Sequence, residues 1–143
     1  MSANEDVINE IGVDAVQPSR KALWAGRIMT GLAVLLLLLD ALGKFVKPQP
    51  VVEGTLALGY QESVIIPLGI ILLISTILYA IPQTTVLGAV LLTGYLGGAV
   101  ATHVRVGNPL FTHALFPVYL GILIWLGIYL RDKRLRSLLP FRA

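Results

Sequence analysis

Residues 87–108 read LGAVLLTGYLGGAVATHVRVGN. The stretch begins as an uncharged run rich in glycine and alanine and ends in His103 and Arg105. It is long enough for a helix to cross a bilayer, since about 20 apolar residues span a hydrocarbon core of about 30 Å. Gly94 and Gly98 form a GxxxG pair, and Gly97 with Ala101 repeats the spacing one position on. Small residues four apart share a helical face and let another backbone approach. The stretch therefore predicts a membrane helix with a packing face built from Gly94, Gly97, Gly98 and Ala101 and a polar tip. Packing within the subunit is the expected use of that face, and a homodimer contact is the alternative.

Composition agrees. Of the 143 residues, 56% are hydrophobic and 13% charged, with a mean hydropathy of +0.81. Soluble domains carry roughly 25% charged residues. A water-soluble fold this apolar would expose large greasy patches. The net charge of +3 is small and the cations gather at the chain ends, a pattern that suits lipid headgroups and not nucleic acid. Without cysteine, the chain itself supplies no disulfide, thiolate ligand or dithiol redox chemistry.

Working outward, four spans emerge. The first runs from about Ala22 to Gly43, after Pro18 and Ser19, which suit a helix start. Its apolar stretch exceeds the roughly 7–15 residues of a signal-peptide core, so it reads as a retained helix. Pro48 and Pro50 interrupt the loop of residues 44–63, in which a short interfacial helix is expected from Val51 to Leu58, ended by Gly59. The second span covers about Ser63 to Ile81, with Pro67 in its first turn. Pro82 to Thr85 form a tight turn, and Thr84 or Thr85 is expected to cap the third span, Val86 to Val104. Gly107, Asn108 and Pro109 make the next turn. Thr112 is expected to cap the fourth span, His113 to Leu130, where Trp125 and Tyr129 approach an interfacial aromatic belt, and Tyr79 is placed likewise at an interface.

The predicted fold is thus all-α, an integral membrane four-helix bundle with a short interfacial helix in the first loop. Residues 1–21 form a polar N-terminal tail, in which Val7, Ile8 and Ile11 could make one apolar stripe. Residues 22–130 form the membrane domain, and residues 131–143 a basic tail. An even number of spans puts both termini on one side. Arg20, Lys21, Arg27 and the five cations of the C-terminal tail make eight positive charges there, against Lys44, Lys47 and Arg105 on the other side. The positive-inside rule assigns the termini to the cytosol.

This topology carries Asp40, Lys44, Tyr60, Glu62, His103, Arg105 and His113 to the same, non-cytosolic end. Charges at membrane depth are costly, so Asp40 calls for a partner, either Lys44 one turn on or Arg105. Two readings follow: ion pairs that lock helices together, or a polar pocket under the loop helix that takes a ligand. His103 and His113 could face each other across their turn. Their spacing matches no zinc pattern, and no metal site is assigned. They suit hydrogen bonding to a quinone carbonyl, or proton transfer. No nucleotide-binding, P-loop, zinc-protease or serine-hydrolase motif is present.

Several blocks resemble the DoxX-like family of small bacterial four-helix membrane proteins: Asp40-Ala-Leu-Gly-Lys44-Phe, Val51-Val-Glu-Gly54, Leu58-Gly-Tyr-Gln-Glu62, Leu78-Tyr-Ala-Ile-Pro82, the run Leu87 to Gly98 with Ala101-Thr-His-Val-Arg105, and Leu130-Arg-Asp-Lys-Arg-Leu-Arg136. The likeness covers about Ala22 to Pro140, and Thr-Gly-Tyr-Leu-Gly-Gly with the following His-x-Arg is its most specific part. Gly-Tyr-Gln-Glu departs from the Gly-Tyr-Pro-Glu expected of the family, which bears on the start of span two. The resemblance implies a multi-pass protein of the bacterial inner membrane. The wider group has been linked to a thiosulfate:quinone oxidoreductase and to membrane complexes of thiol stress. By position it singles out Lys44, Glu62, His103 and Arg105, without established catalytic roles. The expected function is binding of a small lipid-soluble or anionic molecule, with a quinone as candidate cofactor, in a redox or stress-response assembly. The chain reads as a binding subunit and not as an enzyme on its own. Its expected partners are membrane lipid, a second copy or a membrane redox protein. A non-catalytic scaffold is the alternative. A small transporter fits less well, because no span is broken or charged at mid-membrane.

Overall fold

The computed structural model describes residues 18–139. The apolar stripe expected at Val7, Ile8 and Ile11 lies outside them. Helix α1 spans Arg20–Val46, α2 Gln49–Ala57, α3 Ile65–Ala80, α4 Thr85–Arg105, α5 Phe116–Arg131 and α6 Lys133–Leu138. A 3₁₀ turn, Glu62–Val64, leads into α3, and a π-helical turn, Leu110–Ala114, leads into α5. Four of these helical segments are long and apolar enough to cross a membrane. The fold is an all-α membrane helical bundle. In it α1 packs on α3 and α5, α3 on α4, and α4 on α5, so the four spans close into a ring.

The first span runs longer than expected at the C-terminal end of α1, where the helix continues to Val46 and Lys47 takes the left-handed conformation (φ 51°). Lys47 N–H donates to the Gly43 carbonyl, and Pro48 then prevents any continuation. Ser19 caps α1 by accepting the Ala22 N–H at 3.1 Å, as its position predicts.

In lipid, outward-facing leucines and isoleucines gain nothing by association, so helices join through close packing and polar bonds. The close approaches use single glycines on facing helices. A Cβ at Gly26 would lie 2.8 Å from the Gly127 carbonyl oxygen, and one at Gly127 would lie 2.9 Å from Thr30 Oγ1. These two positions let α1 and α5 touch. A Cβ at Gly69 would come 3.0 Å from Lys44 Cβ, and one at Gly88 would overlap the backbone of Tyr79. By contrast, a Cβ at Gly94, Gly97 or Gly98 would meet nothing within 4 Å, and Ala101 is exposed. Among the described residues the GxxxG face therefore packs against nothing, where packing within the subunit was the expectation. It faces outward because α4 meets α3 through the opposite side, which carries Gly88, Leu92 and Leu96.

Tyr79 is wholly buried, where an interfacial position was expected. Its hydroxyl donates to the Ile124 carbonyl of α5 at 3.1 Å and lies 3.4 Å from Thr30 Oγ1 of α1. With Gly88 of α4 against its backbone, this one residue joins all four spans.

The threonines of the 82–85 turn serve the helix before them, not the one after. Pro82 has no N–H for the Leu78 carbonyl four residues back. Thr84 Oγ1 supplies that donor at 2.8 Å, and Thr85 Oγ1 donates to the Ile81 carbonyl at 2.8 Å. Neither side chain caps α4. Thr112 likewise does not cap the fourth span. Its hydroxyl meets His113 Nδ1 at 2.8 Å.

Gly88→Ala is expected to destabilise the protein by about 1–3 kcal/mol, the usual cost of overpacking. Gly94→Ala should be neutral or slightly stabilising, because Ala exceeds Gly in helix propensity by up to about 1 kcal/mol. Thermal unfolding in detergent, followed by circular dichroism, checks both. Equal melting of the two variants would contradict the packing described.

Candidate functional site

Three separate constellations occupy the end of the bundle opposite Arg20 and Arg131. Asp40 and Lys44 pair on α1, Nζ to Oδ1 at 2.5 Å. The Lys44 side chain is 15% exposed, with Asp40 at 53%. The lysine stem is held by Gly69 of α3, and the ammonium neutralises the outward-facing carboxylate. This settles the partner of Asp40 as Lys44 and not Arg105.

The second constellation closes the first loop. At the end of α2, Gly59 (φ 83°) donates its N–H to the Leu56 carbonyl, and Tyr60 N–H reaches the Thr55 carbonyl. This is a Schellman motif. It turns Tyr60 back toward α4, where its hydroxyl shares a 2.9 Å hydrogen bond with Thr102 Oγ1. Arg105 Nη2 donates to the Leu58 carbonyl at 2.6 Å. A guanidinium at the carbonyl end of a helix is well placed for both hydrogen bonding and the helix dipole. Lys47 and Glu62 pair across the same loop at 3.4 Å. Glu62 thus reaches a lysine that the sequence reading counted only as charge, and Arg105 holds a backbone carbonyl.

The third constellation lies on the seam between α4 and α5. The α4 terminus is a second Schellman motif: Gly107 (φ 74°) N–H bonds the Val104 carbonyl, and Asn108 N–H bonds the His103 carbonyl. Asn108 is thereby folded back onto its own helix, and its Nδ2 meets His103 Nδ1 at 2.8 Å. With the amide donating, His103 Nδ1 accepts and Nε2 carries the ring proton. The π turn, closed by Leu115 N–H on the Leu110 carbonyl, presents His113. The two imidazoles stand edge to face with centroids 6.0 Å apart, as their positions predict.

Below this pair, a groove of about 370 Å³ opens between α4 and α5. Thr93, Leu96, Gly97 and Val100 line one wall, and Pro117, Gly121 and Trp125 lie on the other. Val100 and Pro117 are each about one helical turn from the imidazoles. Trp125 Nε1 donates to Thr93 Oγ1 at 2.8 Å, which holds the indole along the groove. Thr93 Oγ1 in turn bonds the Ala89 carbonyl. The groove is almost wholly apolar and opens toward lipid.

Sequence reasoning brought the seven polar residues to one end but missed Thr102, Asn108, Lys47 and the groove. Gly107 followed by Asn108 was a readable signal, because a left-handed glycine directs the next residue back over the helix end. The groove carries no sequence signal of its own, since its glycines, Gly97 and Gly121, lie on different helices.

Arg105→Ala should release the loop helix. Hydrogen exchange of the amides of residues 49–60 should accelerate about fivefold or more, the scale of one charge-assisted bond lost, while amides inside α3 and α5 keep their protection. Unchanged exchange in the loop would show that the Leu58 contact contributes nothing.

The sequence profile of the DoxX-like family matches residues 28–127, from the first turns of α1 to near the end of α5. No curated protein and no solved structure matches the chain significantly. The matched region holds α3 and α4 whole, most of α1 and α5, the loop clasp, the imidazole pair and the groove, and the chain belongs to the DoxX-like family.

Proposed function

We propose that the protein binds a lipid-soluble molecule with a polar carbonyl head, a quinone by preference, in the groove between α4 and α5. The observation that carries this reading is the placement of the paired imidazoles about one turn above an apolar groove open to lipid. An apolar slot with a few polar groups at one end is the usual form of a small-molecule site. The tail or ring of the ligand would fill the space left by Gly97 and Gly121. The head would accept the Nε2–H of His103, and Asn108 fixes the tautomer that offers this proton. His113 supplies a second polar edge.

Asp40, Lys44, Tyr60, Glu62 and Arg105 act in this reading as a clasp that holds the first loop and α4 together, not as ligand contacts. The protein is then a binding subunit of a redox or stress-response assembly in the bacterial inner membrane. The eight cations at the end carrying the termini support a cytosolic position for both.

The test uses Trp125 as the reporter, in a Trp24→Phe background. A short-chain quinone should quench its fluorescence saturably. A Cβ at Gly121 meets nothing within 4 Å, so Gly121→Leu should fill the groove without disturbing the bundle and abolish saturable quenching. His103→Phe should weaken binding about three- to tenfold, the scale of one lost hydrogen bond. Non-saturable quenching that is the same in Gly121→Leu would show simple partition into detergent and sink the proposal.

A second reading has its own observation. Gly94, Gly98 and Ala101 lie on an outward face that none of the described residues covers. A second copy or a membrane partner docked there makes the chain a scaffold. Gly98→Leu should then dissociate the assembly, as read by cross-linking in membranes, and leave quinone quenching intact. An unchanged cross-linking pattern would remove this reading.

A further inference from the structure

The opposite end of the bundle holds a second cleft, of about 250 Å³, between the start of α1, the 82–85 turn and the end of α5. Its lining includes Arg27, Thr85, Arg131 and Asp132, with Leu23 and Pro82. The close approach of α1 and α5 creates it. The Cβ of Arg131 sits 3.1 Å from where a Gly26 side chain would begin, so the Arg131 stem is drawn into the crevice.

Among the described residues, the charges in this cleft are not matched. Arg131 Nε is buried and has no hydrogen-bond partner among the described residues. Neither Arg27 nor Arg131 forms an ion pair among the described residues. Arg27 rests over the Trp24 ring at 6.0 Å. Asp132 is the sole acidic group in the lining, and one of its carboxylate oxygens is taken by the Arg134 N–H at 2.8 Å as the cap of α6. Arg136, the other nearby guanidinium, is occupied with the Tyr129 and Leu130 carbonyls at 2.6 and 2.7 Å. The Thr85 hydroxyl is spent on Ile81. Leaving a buried guanidinium N–H unpaired is costly, and a planar fork of donors is suited to phosphate oxygens.

Depth narrows the ligand. The cleft lies where α1 begins and α5 ends, at the level of lipid headgroups, with the cations of α6 beside it. Basic pockets between spans at this level are suited to anionic lipid headgroups. From two guanidiniums that line one crevice and form no ion pair among the described residues, we infer that this cleft binds the phosphate of an anionic phospholipid headgroup, with Arg131 reaching it from inside and Arg27 from the membrane side. The site is independent of the groove between α4 and α5 and lies at the other face of the bilayer.

The full-length protein, delipidated in neutral detergent, tests this. Retention of phosphatidylglycerol and of phosphatidylcholine is read by native mass spectrometry, and inorganic phosphate is assayed by thermal shift. Phosphatidylglycerol should be retained in preference to phosphatidylcholine. Arg131→Gln and Arg27→Gln should each reduce that retention about five- to tenfold, the scale of one cation at a lipid phosphate. Arg134→Gln, on the exposed face of α6, should leave it unchanged. Should Arg131→Gln fail to fold, Arg27→Gln still carries the test, because its side chain lies over the outward-facing Trp24. If inorganic phosphate stabilises the wild type as well as the lipid does, and loses that effect in both variants, the phosphate chemistry stands and its source is a free anion. Equal retention of the two lipids with no effect of phosphate, or wild-type retention in both arginine variants, overturns the inference.

Discussion

The structure depends on the contact at which Tyr79, Gly88, Thr30 and Ile124 meet. Apolar side chains do not drive helices together in a solvent that is itself apolar. What joins the spans must therefore be shape and hydrogen bonding. Tyr79 supplies both. Its ring is wholly buried between the spans, and its hydroxyl finds a backbone carbonyl of a second helix and a threonine of a third. Gly88 lets α4 lie against the tyrosine's own backbone. Gly26 and Gly127 do the same for α1 and α5, and so bring Thr30 and Ile124 within reach of the hydroxyl.

The number of spans, their approximate ends, the short loop helix and the side shared by the seven polar residues were all legible in the sequence. Hydropathy and proline placement act locally and leave a local record. The packing was not legible, and the GxxxG pair shows why. A repeated glycine on one helix signals that a backbone could approach there, not that one does. The approaches that occur use Gly26 with Gly127, and Gly88 with Tyr79, where the matching partner lies on another helix. One sequence does not reveal that pairing. Thr84 and Thr85 misled for a related reason. A threonine before a helix resembles a cap, but Pro82 had already orphaned the Leu78 carbonyl behind it, and the nearer need was met first.

The candidate site was legible in its residues and not in its division of labour. Seven polar groups at one end suggested one pocket. The structure separates them, because each group takes the nearest partner that lowers its cost at an apolar boundary. Asp40 takes Lys44 four residues on, Glu62 takes Lys47 across the loop, and Arg105 takes the Leu58 carbonyl. Once these are satisfied, the imidazoles remain the polar pair on the α4–α5 seam, and the groove lies beneath them.

Gly59 shows how tightly the clasp is specified. It must adopt a left-handed φ to end α2, which favours glycine. A Cβ there would also lie 3.2 Å from Arg105 Nη2. The same turn that directs Tyr60 to Thr102 thus leaves the room through which Arg105 reaches Leu58. Backbone conformation and side-chain recognition impose the same residue. The clasp thus ties the last turns of α4 to the first loop through Thr102 and Arg105, while the turn at Gly107 ends the helix and brings Asn108 onto His103.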